Sequence, residues 1–551
     1  LVGRFCGIAL ALEPFWRFCD TYCILAFALK VQTSWAGLPA VSGLIGQGSS
    51  RPAICRRSCL QALADDQSPR VVSTFHGGQI SLPRSRCQRG PDVAAAYQEG
   101  RCSLTIFPFT EATPIQFQQP LPKTSDVVII GGGVIGVSTA LFLARRNVSV
   151  TLLEKGRIAA EQSSRNWGWI RQQGRDADEL PIVIEAQRLW RQLAQECGED
   201  IGLKQTGVTY LARTDKEMAG FAKFLDIAQA HGVDTCLLDQ GELASLIPAM
   251  SRPFKGAMIT PSDMRAEPWV AVPALARLAA REGVTIIENC AARMLDISAG
   301  RISGVWTEKG HIATSSVVVA SGAWTSLFLR AHGISIPQLS VRATVAATAP
   351  MPEIHTGAAA DERIAFRRRQ DGGYTLASGG SSQLYIGPDA FRHAGKYISA
   401  LMANPFGTRY LPAAPRGYPD SWSTPRRWNA DEESPFERMR VLNPAPETSA
   451  LRAIDRGFRE LFPQFTTVPI KASWAGMIDA MPDVVPIVDR AAAIPGLVIA
   501  TGMSGHGFGI GPGIGRVLSD LVQGNETGHN LYRFRQSRFS DGSPIRLGPS
   551  L

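Results

Sequence analysis

The sequence predicts an α/β fold, and three observations carry that expectation. The first is a short apolar strand, VVII at residues 127–130, followed by a glycine-rich turn, an apolar helical run VIGVSTALFLARR and a second strand VSVTLLE. The second is the alternation of helix and strand patterns downstream, as in ELPIVIEAQRLWRQLAQE and WVAVPALARLAAREGVTIIE. The third is the close of the chain, where strand LVIATG, a run of glycines and an apolar helix IGRVLSDLV repeat the opening arrangement. Between them, RISGVWTE, HIATSSVVVASGAW and RIAFRRRQDGGYTLASG read as further strands, and residues 383–446 as a loop-rich stretch with many Pro and Arg.

Size and composition set the class. A chain of 551 residues can bury a large core in two or more domains. Hydrophobic residues make up 45% and charged residues 19%, an ordinary globular balance. The net charge of +9 is not packed into a basic tract, so it argues for no nucleic-acid partner and would favour anionic substrates. The most apolar N-terminal stretch, FCGIALALEPFWRFCDTYCILAFALK, is interrupted by Glu13, Arg17 and Asp20, so no integral membrane segment is expected. A cytoplasmic location is expected, with peripheral membrane contact left open.

Residues 1–124 differ from the rest. Seven of the ten cysteines lie there, periodicity is poor, and GLIGQGSSRP and SLPRSRCQRG read as loop. Cys19/Cys23 and Cys55/Cys59 are spaced C-x3-C, but nothing completes a familiar zinc module, and no metal is expected. The segment is expected to be a poorly ordered or atypical extension, whose place in the native protein the sequence leaves open.

Gly131, Gly133 and Gly136 form G-x-G-x-x-G between strand and helix. The first allows a tight turn, the second brings backbone close to a pyrophosphate, and the third lets helix and strand pack closely. The helix N-terminus then presents unpaired N–H groups to the phosphates. Glu154, at the end of the second strand, is placed to accept hydrogen bonds from both ribose hydroxyls. The C-terminal run GMSGHGFGIGPG is too glycine-rich for a stable strand or helix by propensity alone. A loop of minimal side chains lets main-chain N–H groups lie against a flat ring, which favours FAD over NAD.

Four segments in order, GGGVIGVSTALFLARRNVSVTLLEK, VVVASGAWTS, SWAGMIDAMPDVVPIVD and IATGMSGHGFGIGPGIGRVLSDL, resemble the D-amino-acid oxidase-like FAD-dependent superfamily over residues 125–527. That superfamily includes D-amino-acid dehydrogenase, glycine oxidase and sarcosine oxidase. The resemblance implies a Rossmann-like FAD-binding domain with an inserted antiparallel-sheet substrate domain. It places FAD-binding parts at 125–205, 271–335 and 471–527, substrate-domain parts at 206–270 and 336–470, and a tail at 528–551. It also implies that Gly131, Gly133 and Gly136 hold the pyrophosphate, Glu154 the adenosine ribose, and Ser163, Ser164 and Arg165 the phosphates and ribityl chain. Ala292 would meet the adenine, Gly322 and Trp324 turn over the cofactor, and Gly505, His506, Gly507, Phe508 and Gly509 lie beside the flavin ring. No cysteine follows Cys290, so the cysteine-linked flavin of the sarcosine-oxidase-like members is excluded and FAD is expected to be non-covalent.

The expected reaction is oxidation of the C–N bond of a D-amino acid or secondary-amine amino acid by hydride transfer to flavin, giving an imine that water hydrolyses. The electron acceptor is O2 or a quinone, and the sequence does not choose between oxidase and dehydrogenase. A carboxylate anchor is sought among Arg367, Arg368 and Arg369 on a predicted strand, with Arg171 and Arg175 as weaker candidates. His506 is either a general base or a backbone contact to flavin. Trp167 and Trp169 either line a pocket or fill core space. An NAD(P)-linked dehydrogenase and a non-catalytic flavoprotein subunit are the competing readings. A yellow chromophore separates the first, and flavin reduction by amines separates the second.

Overall fold

The computed structural model describes residues 107–548, apart from 252, 381, 405 and 406. The spaced cysteine pairs and most of the expected N-terminal extension lie outside the described residues.

The opening strand Val127–Ile130 is buried at every position, as a run without polar alternation requires. It sits inside a six-stranded sheet, between Val317–Val319 and Val150–Leu153. Thr285–Ile287 extends the sheet on one side and Leu497–Thr501 on the other, all parallel, and Ile487–Arg490 closes the far edge antiparallel. The dinucleotide-fold sheet is thus assembled from three separated stretches of chain.

The helix after the first glycine turn, Val134–Ala144, is apolar all round because it is buried between the sheet and other helices. The C-terminal helix Gly507–Gln523 lies against it. This helix corrects an expectation: the glycine run is helical from Gly507 onward rather than a loop preceding a helix. A Cβ on Gly511 would stand 2.6 Å from Val134 Cγ2, and one on Gly515 would stand 2.4 Å from Ser138 Cβ. Close approach of two helices, unavailable to larger residues, offsets the entropy that glycine loses in a helix.

A second, ten-stranded sheet forms the roof. Its longest pairing joins Leu339–Thr348 to Ile470–Ala480, in antiparallel register from Leu339↔Ala480 to Val345↔Trp474. Most neighbours are antiparallel; Ala358–Ala360 with Val208–Ala212, and Ser382–Tyr385 with Thr408–Leu411, run parallel. The roof continues to Ala480, past the boundary expected at 470.

Residues 107–124 belong to the folded body, contrary to the extension expected there. Phe109 is 2% exposed, and Phe107 packs on Trp269 and Trp474 with ring centroids 4.9 and 4.6 Å apart. Glu288 accepts hydrogen bonds from the backbone N–H groups of Gln116 and Phe117, and Gln118 bridges to Ile287 at the sheet edge. The segment carries no periodic signal in sequence because its order comes from aromatic and main-chain contacts with distant residues.

Candidate active site

The two glycine turns converge. Gly131 and Gly133, from the first turn, and Gly505, His506, Gly507 and Phe508, from the last, line one cavity of about 390 Å³. Gly131 adopts φ +116°, a conformation side chains disfavour, and a Cβ there would meet the Ala320 carbonyl oxygen at 2.4 Å. Gly136 does not line the cavity; it sits against the Gly131 carbonyl and sets the turn.

The helix that starts at Val134 has no cap from its own N-cap residue, Gly133, and no acidic residue in its first turn, so its N-terminus faces the cavity as a positive pole. Ser163 Oγ accepts from Val134 N at 2.9 Å and stands at the same wall. Glu154 accepts from Gly132 N at 2.8 Å and Gly156 N at 2.7 Å, which fixes its carboxylate at the end of the second strand. Burial pushes its carboxyl up to about 7. A ribose diol donating to that carboxylate would stabilise the charge that burial disfavours. Ala292 lines the cavity at the start of its strand.

Arg165 also lines the cavity, but its guanidinium is occupied by Ala160 O, Asn443 Oδ1, Ala475 O and Phe109 O, so it ties the roof strand and the 107–124 segment to the floor. Ser164 is buried and does not line the cavity. Gly322 turns with φ +51° and accepts from Gln338 through its carbonyl at 2.7 Å. The Trp324 indole N–H donates to Glu161, whose carboxylate also takes Lys155 Nζ at 2.7 Å. Gly509 is a packing residue: Trp190 Nε1 donates to its carbonyl, and a Cβ would press on Ile170 at 3.3 Å.

Sequence reasoning missed several cavity residues, among them Lys155, Arg157, Glu161, Gln162 and Asp479. Asp479 lies within a segment that carried the resemblance, yet nothing local marks its task. It is 1% exposed, accepts from Gly502 N at 2.7 Å, and so anchors the loop before the C-terminal helix. Burial pushes its carboxyl up to about 6.

The arginine triplet lies elsewhere. Arg367 is fully buried in a two-bonded pair with Glu267, at 3.1 and 2.9 Å. Arg369 donates to the carbonyls of Tyr374 and Thr348, both at 2.6 Å, and to Asp371. Arg368 donates to Met351 O and stacks on Tyr374. None of the three lines the cavity, whereas Arg171, Arg175, Trp167 and Trp169 all do. The two tryptophan rings meet edge to face at 5.2 Å.

His506 stands at the same end, its Nδ1 3.4 Å from Glu179 Oε2. Burial, reinforced by Arg175, pushes His506 down to about 4, so its imidazole is neutral at neutral pH. Burial raises the Glu179 carboxyl, and the neighbouring Arg175 and Arg171 guanidinium groups counter it in favour of the carboxylate. Among the described residues no group of three His, Cys, Asp or Glu side chains is placed to hold a metal, and Cys197 and Cys290 are free thiols.

A parallel sheet with a glycine turn at a helix N-terminus, roofed by a second sheet over one shared cavity, defines a dinucleotide-binding flavoprotein. The chain belongs to the DAO family of FAD dependent oxidoreductases, whose family model matches residues 126–521. It is similar to glycine oxidase of Geobacillus kaustophilus (strain HTA426), 26% identical over 425 residues that cover 75% of this chain and 97% of that one. It is also similar to mitochondrial sarcosine dehydrogenase of Homo sapiens, 29% identical over 231 residues, 40% of this chain and 25% of that protein, so the chain spans a quarter of that relative. Among solved structures, L-amino acid deaminase from Proteus myxofaciens, in complex with anthranilate, superposes with a TM-score of 0.74 at 30% identity, covering 77% of this chain and 96% of that one. FAD is therefore the cofactor, the glycine cradle fits it, and the chain is an FAD-dependent oxidoreductase. Among the described residues no helix is long and apolar enough to cross a membrane.

Proposed function

We propose that this enzyme oxidises the C–N bond of an α-amino acid, with a primary or secondary amine, to an imine that water hydrolyses. The observation that carries the reading is the single cavity, which joins the phosphate-binding turn at Gly131 to a cationic, aromatic end bearing Arg171, Arg175, Trp167 and Trp169. The relatives named glycine oxidase and sarcosine dehydrogenase support an amino-acid substrate. The sequence points to a D-amino acid or a secondary-amine amino acid, whereas the neighbours L-amino acid deaminase and L-proline dehydrogenase are named for the opposite hand, so the proposal takes in both.

Bound FAD supplies the hydride acceptor. The chain supplies orientation and charge. The Val134 helix terminus and Glu154 would hold diphosphate and ribose, and the Gly505–Phe508 turn, with its own helix N-terminus, would lie against the ring and stabilise developing negative charge. The roof residues Ala343, Val345 and Ile478 exclude water from the reacting carbon. His506, pushed down to about 4 by burial, is too weak a base to take an ammonium proton efficiently, so the amine would enter deprotonated. The acceptor that reoxidises the flavin is O2 or a quinone.

The test is anaerobic mixing of the FAD-loaded protein with D- and L-amino acids, N-methyl amino acids and imino acids while following flavin bleaching. Reduction by at least one of them is expected. A flavin that no amine reduces would overturn the proposal and favour a non-catalytic subunit. Readmitting oxygen, or a soluble quinone, then identifies the acceptor.

A further inference from the structure

We propose that Glu179 is a positioning residue whose carboxylate keeps the proton of His506 on Nδ1, so that Nε2 meets the cavity as a hydrogen-bond acceptor for the substrate nitrogen. The proposal rests on the amine-oxidation reading above for its substrate, while its central claim concerns one ring proton.

Glu179 is oddly placed for a carboxylate. It is 1% exposed and stands immediately before the helix Leu180–Glu196, yet its side chain does not cap that helix. Neither of its carboxylate oxygens takes a hydrogen bond, although burying a carboxylate without donors is costly. What faces it is His506 Nδ1, 3.4 Å from Oε2 and itself buried without a hydrogen bond. Contacts between an imidazole and the group that orients it commonly tighten when substrate binds. The guanidinium groups of Arg175 and Arg171 offset burial and favour the charged carboxylate.

The fold holds the pair face to face. His506 immediately precedes the helix Gly507–Gln523, and its backbone N–H donates to Met503 O at 2.7 Å. The two helices that begin beside Glu179 and His506 pack against each other. Trp190 Nε1 donates to Gly509 O at 3.0 Å, its ring meets Phe508 at 5.1 Å, and Arg516 bonds Glu185 at 2.9 Å. Gly513 lets them close, since a Cβ there would stand 2.6 Å from Ile182 O. Only His506 of the pair lines the cavity, so Glu179 acts through it.

Electrostatics then selects the tautomer. A neutral imidazole carries one proton, and a lone pair on Nδ1 would oppose those of the carboxylate. The proton belongs on Nδ1, which leaves Nε2 as the acceptor. Nε2 has no partner in the protein and is not shut in, and its ring borders the cavity. Burial leaves the ring too weak a base to take a proton, but still able to accept a hydrogen bond. In the oxidation the C–H bond breaks, its electron pair passes to the flavin, and the nitrogen lone pair closes the C=N bond. The N–H stays on a nitrogen that has become cationic, so its hydrogen bond to Nε2 strengthens in the transition state.

The full-length FAD-loaded protein, carrying nitrogen-labelled histidine, tests the tautomer by NMR without turnover. The His506 signals, identified by their loss in His506→Gln, should show Nδ1 protonated and Nε2 unprotonated at neutral pH. In Glu179→Gln, whose amide can donate to Nδ1, the proton should move to Nε2. Anaerobic flavin reduction by an amino acid tests the consequence. Glu179→Gln should slow it about tenfold at saturating substrate with little change in KM, and Glu179→Asp should recover part of the loss. In His506→Gln, whose amide oxygen can accept in place of Nε2, adding Glu179→Gln should cost little more. A merely structural Glu179 would cost the same in both backgrounds. A proton on Nε2 in the unmodified protein, or additive losses in the double variant, overturns the proposal. If no amine reduces the flavin, the oxidation reading falls while the ring proton still decides this one.

Discussion

A Cβ placed on Gly136 would lie 2.0 Å from the carbonyl oxygen of Gly131. The third glycine of the turn therefore fixes the first, and the first carries the backbone that a diphosphate approaches. Neither atom can retreat easily, since Gly131 is itself pressed against Ala320. Gly136→Ala should lower FAD affinity by at least about tenfold, as one lost interaction of ~1.4 kcal/mol implies. Gly133→Ala should do less, because its obstacle is the movable Ser163 hydroxyl at 3.0 Å. Flavin retained after dialysis, measured by absorbance, checks both.

The Arg367–Glu267 pair is buried, bidentate and remote from the cavity lining. Arg367→Met should destabilise the protein by about 3 kcal/mol, because it removes the two-bonded partner of a buried carboxylate that Arg265, 3.6 Å away, compensates only in part. Adding Glu267→Gln to it should restore much of the loss. Chemical denaturation of the two variants measures this, and a loss of activity without a loss of stability in Arg367→Met would contradict the structural role.

Glu288 accepts from Gln116 N, Phe117 N and Ile158 N, so one carboxylate holds the 107–124 segment against the wall of the cofactor cavity. Glu288→Ala should cost about 3 kcal/mol, with three N–H groups losing their acceptor. Amide exchange at Gln116 and Phe117 should accelerate first, since the break is local to that strap. Unchanged protection there would show that the segment is held by its aromatic contacts alone.

His355 gives a pH dependence that can be isolated. Burial alone pushes it down to about 4 from an ordinary value of 6.5. The unfolded chain therefore takes up a proton between those values that the folded protein refuses, and stability falls as pH drops through that window. The group contributes about 3 kcal/mol above pH ~6.5 that is lost by pH ~4. Relative to the unmodified protein, His355→Phe should become progressively more stable over that range, as read from denaturation midpoints at stepped pH.

Much of the cofactor half was legible because its requirements are local. A strand, a turn without side chains, a helix and a terminal acid occupy consecutive residues from Val127 to Glu154, and each step is set by backbone geometry. The closing glycines at Gly505 and Gly507, around the start of the last helix, were legible for the same reason. The helical state of the glycines after it was not, since it depends on how closely Val134 and Ser138 approach from a helix far away in sequence.

The sequence by itself determined the α/β class, the nucleotide turn, Glu154 at the end of the second strand and a flavin rather than a nicotinamide partner. Only the tertiary structure decided which cations face the substrate. Arg367 is withdrawn by Glu267, a hundred residues earlier in the chain, while Arg171 and Arg175 line the cavity. The same holds for residues 107–124, whose polar sequence folds against Glu288 and Arg165. The reason is physical: a glycine's task is set by its neighbours along the chain, whereas a charge is free or spent according to which distant group the fold brings to it.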